Sequence, residues 1–142
     1  MQAGRIMLTR LKELGLQRES FAFETTLASR TFAPWILQLK SAGYEFHLIY
    51  LWLPSDQMAI SRVESRVRLK GHHVPDDIVQ RRYRRGLENF FRIYQPIATM
   101  WKMYYNGEPT GPQLVAQGNE SVGEQIVIPD MWNHIKAEAN HA

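Results

Sequence analysis

The sequence contains no cysteine, which excludes a disulfide framework, thiolate metal ligation and a cysteine nucleophile, and fits a reducing compartment. Long hydrophobic runs are missing as well. The densest apolar stretch, Phe46 to Leu53, includes a histidine and falls far short of the roughly 20 residues that cross a bilayer. Met1-Gln2-Ala3-Gly4-Arg5 lacks the basic-then-apolar layout of a secretion signal. The motifs G-x-x-x-x-G-K-[ST], G-x-G-x-x-G and G-x-S-x-G are all absent, so nothing in these residues builds a phosphate cradle or a nucleophile elbow. With 142 residues, 44% of them apolar and 22% charged, the expectation is one cytoplasmic domain over 1–142, not associated with a membrane.

Charge is scarce in total and concentrated in place. The net value is +3, yet the window from Arg62 to Arg92 holds eight arginines and Lys70 against Glu64, Asp76, Asp77 and Glu88. That segment implies an anionic partner. Its preference for arginine over lysine favours forked contacts to phosphate-like oxyanions.

Helix and strand signals alternate. Met7, Leu11 and Leu14 predict a helix over about 3–14, closed by Gly15. Phe21 to Thr25 reads as a short aromatic strand, Thr31 to Ser41 as a helix with Gly43 just past its end. Glu45 to Leu53 reads as a strand covered on both faces, as in a parallel sheet. Ser55 and Asp56 cap a helix with a stripe of Ile60, Val63 and Val67 that ends at Gly71. After Pro75, the positions Val79, Tyr83, Leu87, Phe90, Phe91 and Tyr94 form a 3.6-residue stripe that Pro96 ends or kinks. Strands over 101–105 and 113–116, a polar loop over 118–123, an apolar segment 126–128 and a helix over 129–138 complete the reading. This order argues for an α/β domain with a largely parallel sheet, whose ligands sit beyond the carboxyl ends of strands.

Phe23-Glu24-Thr25-Thr26 places a carboxylate and two hydroxyls at such a position. It suits either a turn closed by local side-chain bonds or a polar recognition cluster in which Glu24 accepts from a substrate hydroxyl. Arg62 with Arg66, and Arg81 with Arg85, are i, i+4 pairs opposite the apolar stripes. A solvated basic face and a phosphate-gripping face both fit them. His72 and His73 are adjacent and point apart in extended backbone, so they read as a hinge between two helices. No metal site is assigned.

Ala3-Gly4-Arg5-Ile6-Met7, Phe21 to Leu27, Ala42-Gly43-Tyr44, Tyr50 to Pro54, and Arg62-Val63 through Gly71-His72-His73-Val74-Pro75 to Arg82-Tyr83 occur in one ordered series. Taken together they resemble the zeta-toxin-like P-loop kinases over essentially the whole chain. The resemblance implies a P-loop NTPase-like fold, a parallel sheet flanked by helices, and phosphoryl transfer from ATP with Mg²⁺ to a small acceptor such as a UDP-activated amino sugar. Glu24 and Thr26 match the family's substrate-contacting positions. Arg62 or Arg66, and Arg81 or Arg82, match the phosphate-approaching arginines of a helical lid spanning about 56–95. The family's opening strand, lysine-bearing phosphate loop, helix and acceptor-orienting aspartate have no counterpart in these residues. The expectation is therefore the substrate and lid portion of a truncated kinase, with no catalytic residue of its own and weak or absent ATP binding. Its partners would be a nucleotide, an acceptor, and an antitoxin or a separately encoded N-terminal half. Two alternatives stand beside it: a degenerate, non-catalytic module that binds a nucleotide sugar, and, ranked last, an arginine-rich nucleic-acid binder.

Overall fold

A computed structural model describes residues 2–70 and 74–140, without the side chains of residues 2–8 and 70. Gly71, His72 and His73, and with them the expected helix end and hinge, lie outside the described residues, as does the Met7 side chain.

Helix α1 spans Gln2–Leu16 and α2 spans Phe32–Ser41. Helix α1 runs through Gly15 instead of closing there, and the chain turns at Arg18, which takes φ 57°. Helix α2 ends as predicted. Gly43 adopts φ 101°, while Gly43 N–H bonds the Lys40 carbonyl and Tyr44 N–H bonds Leu39. That paired closure satisfies the last turn and needs a residue free of a Cβ penalty.

Strand β1 (His47–Trp52) leads into α3 (Asp56–Lys70) and α4 (Asp76–Asn89). Ser55 Oγ accepts from Met58 N–H at 3.2 Å, the cap expected at the start of α3. A π-helical turn, Phe90–Tyr94, and a 3₁₀ turn, Gln95–Ile97, unwind α4 ahead of β2 (Met100–Tyr105). Strands β3 (Gln113–Asn119) and β4 (Gly123–Ile126) form a hairpin, and α5 (Pro129–Asn140) closes the domain. The polar stretch expected as a loop over 118–123 is thus mostly hairpin. Asn119 Oδ1 accepts from the N–H groups of Ser121 and Val122 and folds the turn.

The sheet has four strands in the order β1-β2-β3-β4. Only β1 and β2 are parallel, and both later pairings are antiparallel. The largely parallel sheet is therefore corrected to a mixed one, because short turns join β2, β3 and β4 where parallel strands would need crossovers.

Two further expectations change. Phe21 to Thr25 is irregular and forms no strand. Its rings pack on α2 instead, Phe23 against Phe32 at 5.2 Å and Phe21 against Trp35 at 5.8 Å. Strand β1 lies at the sheet edge and is covered on one face only. Leu48 and Trp52 are buried, whereas Ile49 and Leu51 are 53% and 50% exposed. Continuous apolar character hid this alternation, since both faces carry large side chains.

The core lies between the covered sheet face and α2, α4 and α5. Phe90, 0% exposed, meets the rings of Tyr50 and Trp101, and Trp101 stacks on Trp132 of α5 at 14°. The stripe on α4 is realised: Val79, Leu87, Phe90 and Tyr94 are buried.

Candidate functional site

The segment carrying Glu24 and Thr26 has no ladder, so its position depends on side-chain bonds and close contacts. Thr25 Oγ1 accepts from Leu27 N–H at 3.1 Å and Thr26 Oγ1 from Ala28 N–H at 3.4 Å. These bonds over two residues make a compact turn in which Leu27 takes φ 65°, sparsely populated for a residue with a side chain. Leu27 is buried, while Glu24 and Thr26 are exposed.

Three residues of the α4 region hold that turn. Gly86 lets the helix approach so closely that an added Cβ would overlap the Thr26 carbonyl oxygen. The buried Asn89 donates from Nδ2 to the Leu27 carbonyl at 2.9 Å, and the Tyr94 hydroxyl donates to the Ser29 carbonyl at 2.5 Å. Sequence reasoning missed Gly86 and Asn89. A glycine on the apolar stripe of a predicted helix was the available signal, because it marks a close approach.

The lid arginines divide. Arg62 is half-buried and donates from Nη2 to the Asn106 carbonyl at 2.6 Å, which ties α3 to the loop after β2. Arg66, Arg81 and Arg82 are exposed and make no ion pair or hydrogen bond among the described residues. Arg66 is on α3, whereas Arg81 and Arg82 are on α4, the helix that also grips the Thr26 turn. Arg92 instead pairs with Glu88 on its own helix.

At the carboxyl end of β1 lies a cavity of about 340 Å³ lined by Ser55, Asp56, Tyr83, Arg84, Leu87 and Glu138, with Pro54 at its wall. Its position is where an α/β sheet places ligands. The Tyr83 hydroxyl lies 2.7 Å from both the Leu53 carbonyl and Glu138 Oε1, so its single hydrogen is shared between two acceptors. Burial pushes the Tyr83 phenol well above its usual range, and the neighbouring Glu138 carboxylate adds to the effect. Tyr50 is raised in the same direction, mainly by burial. His134 Nε2 stands 3.7 Å from Glu138 Oε2. The pairing of Tyr83 with Glu138 joins α4 to α5 across 55 positions, and sequence reading had no signal for it. Leu87 lines this cavity next to Gly86, so the Thr26 turn and the cavity share one stretch of α4.

Guanidinium groups fit phosphate oxygens. Among the described residues no three His, Asp or Glu side chains converge as a metal cage.

These features define an α/β domain with a mixed sheet and two arginine-bearing helices in the crossover between its parallel strands. The Zeta toxin family model matches residues 2–107, and the chain belongs to that family, whose members are nucleotide-binding and kinase-like. An uncharacterised protein of Haemophilus influenzae is 30% identical over 67 residues, which cover 47% of this chain and 48% of that protein. The chain thus spans about half the length of the curated relative it matches. No solved structure is a significant match. No helix among the described residues is long and apolar enough to cross a membrane.

Proposed function

We propose that this chain is the substrate-binding and lid portion of a cytoplasmic ATP-dependent kinase acting on a small acceptor, with a UDP-activated amino sugar as the leading candidate. The observation that carries the reading is the clamping of the turn from Thr25 to Ala28, which holds Thr26 and directly follows Glu24, onto α4 and the helical turn after it by Gly86, Asn89 and Tyr94. It joins the backbone at Thr26, next to Glu24, to the helix bearing Arg81 and Arg82.

In this reading Glu24 accepts a hydrogen bond from an acceptor hydroxyl, and the Thr26 hydroxyl supplies a second contact. Arg66, Arg81 and Arg82 approach ATP phosphates with donors that no protein acceptor among the described residues occupies. Arg62, braced by Asn106, contributes its remaining N–H groups. Mg²⁺ neutralises phosphate charge when the nucleotide brings it, and the residues present here assign it no cage. Guanidinium charge facing phosphoryl oxygens favours the transition state, in which charge spreads over them.

The phosphate loop is supplied by another segment, in the same polypeptide or a separate one, and the 142 residues alone do not turn over ATP. An antitoxin is the regulatory partner that the family suggests. A nucleic-acid partner is disfavoured by Phe90, which is fully buried and so cannot stack on a base.

The test is turnover of labelled ATP, with and without UDP-N-acetylglucosamine, by the chain alone and fused behind a strand–phosphate loop–helix segment. The expected result is no turnover by the chain alone and acceptor-dependent turnover by the fusion. In the fusion, Arg66→Ala and Arg82→Ala should each lower turnover without lowering Tm. Mg²⁺-dependent turnover by the bare chain would overturn the phosphate-loop argument. Unchanged turnover in both variants would remove the lid assignment. Tight nucleotide-sugar binding without turnover in any form would favour the non-catalytic module.

A further inference from the structure

We propose that the cavity at the carboxyl end of β1 receives the ribose of a nucleotide, with Asp56 and Glu138 accepting from its hydroxyls and Arg84 facing its phosphates. Such a subsite, which rests on the nucleotide reading above, is lined by neither Glu24 nor Thr26.

Asp56 from α3, Arg84 and Leu87 from α4 and Glu138 from α5 meet in this cavity of about 340 Å³. Helix α5 lies beyond the residues 2–107 that the family model matches, so Glu138 is a contribution of this chain's C-terminal part. The Tyr83 hydroxyl orients Glu138 through Oε1 at 2.7 Å. Oε2 stays available, because His134 Nε2 at 3.7 Å is beyond hydrogen-bond reach. The Asp56 carboxylate makes no hydrogen bond or ion pair among the described residues, and neither does the Arg84 guanidinium. Opposite charges therefore line one cavity without pairing with each other. One carboxylate is fixed in place, and both keep oxygens free to accept. That arrangement suits a ligand which brings donors.

Hydroxyl and ammonium groups are the donors that carboxylates take. Arg84 opposes an ammonium ligand by like charge. Arg81 lies three residues before it, on the same face of α4. The cavity thus joins carboxylate acceptors to a guanidinium row. A ribose 5′-phosphate has the matching polarity, with vicinal hydroxyls at one side of the ring and anionic oxygens at the other. Leu87 and Pro54 offer its ring carbons an apolar wall. The volume is at the low end for small-molecule pockets, which suits one sugar ring. ATP and a UDP-activated acceptor both carry this group.

The experiment is titration calorimetry on the chain alone and on the fusion carrying the phosphate loop. ADP and UDP are each compared with their 2′,3′-dideoxy counterparts. The parent should bind at least one ribonucleotide about tenfold or more tighter than its dideoxy form, since a hydrogen bond to a carboxylate is lost. The pair that shows the preference, adenosine or uridine, identifies which substrate brings the ribose. Glu138→Gln keeps an acceptor for Tyr83 and puts an amide N–H₂ where Oε2 stood, so the preference should fall toward parity. A merely structural role would weaken both forms alike and leave the ratio intact. If Glu138→Gln fails to fold by far-UV circular dichroism, Asp56→Ala decides by the same ratio. Equal affinities of the parent for ribose and dideoxy forms in both pairs overturn the proposal. So does a ratio unchanged in whichever variant folds. No measurable binding of any of the four nucleotides overturns it together with the phosphate reading of the arginines. Acceptor-dependent turnover without ribose preference removes this subsite alone, whereas ribose preference without turnover removes the kinase reading alone.

Discussion

The carboxamide of Asn89 donates to the Leu27 carbonyl across 2.9 Å, and Leu27 is held with φ 65°. A buried helical side chain therefore secures the backbone of a turn that has no sheet to secure it. The strained residue immediately follows Thr26, the hydroxyl proposed to meet the acceptor. Backbone in such a sparsely populated region persists only where its surroundings over-determine it.

Replacing Asn89 with leucine should therefore lower stability by about 1–3 kcal/mol, the range for leaving a buried acceptor without its partner. Urea unfolding monitored by tryptophan fluorescence measures it. A variant as stable as the parent would show that the Leu27 carbonyl is satisfied in another way.

Gly86→Ala is the complementary case. On helix propensity alone alanine should stabilise α4 by about 1 kcal/mol. Here its Cβ would overlap the Thr26 carbonyl, and the helix must move off the turn. Net destabilisation is expected, with weaker acceptor binding in a version carrying the phosphate loop. Stabilisation by alanine would refute the close approach.

Glu24→Gln should leave Tm unchanged, because the side chain is exposed and makes no hydrogen bond or ion pair among the described residues. Losing a charged hydrogen bond should weaken nucleotide-sugar binding by about 1.5–3 kcal/mol. Calorimetry on a phosphate-loop-bearing version provides the measurement. Equal affinities for the two proteins would remove Glu24 from the site.

The buried phenols make an alkaline prediction. Tyr83 and Tyr50 are raised above the ordinary tyrosine value of 10.0, first by burial and then by the Glu138 charge. Below about pH 10 both phenols are neutral in the folded and unfolded chain, so their contribution is complete. Above that pH the unfolded chain releases protons that the folded chain retains, and stability falls as pH rises. Urea unfolding at a series of pH values should show this loss, and Tyr83→Phe should flatten it. Slopes identical for the two proteins would show that Tyr83 ionises freely in the fold.

The parts legible in the sequence are those set by neighbours a few residues apart. The end of α2 at Gly43, the Ser55 cap and the apolar stripe from Val79 to Tyr94 each follow from local periodicity and backbone freedom. Glu24, Thr26 and the arginines stand out against the apolar segments beside them by their chemistry alone, and their roles belong to the proposal.

Pairing was not legible, because a hydrogen-bonded ladder belongs to two segments and is written in neither. Phe21 and Phe23 alternate as a strand would, yet alternation specifies only which side chains are buried. Their rings found that burial on α2 without any strand partner. The run from Phe46 to Leu53 could not announce whether one or both of its faces would be covered. Tertiary structure decided that Ile49 and Leu51 face outward from an open edge. It also decided that Asn89 reaches Leu27 and that Tyr83 reaches Glu138. Local sequence determines periodicity and capping through short-range sterics and hydrogen bonds, whereas these contacts depend on how separate elements pack and on which polar groups that packing must then satisfy.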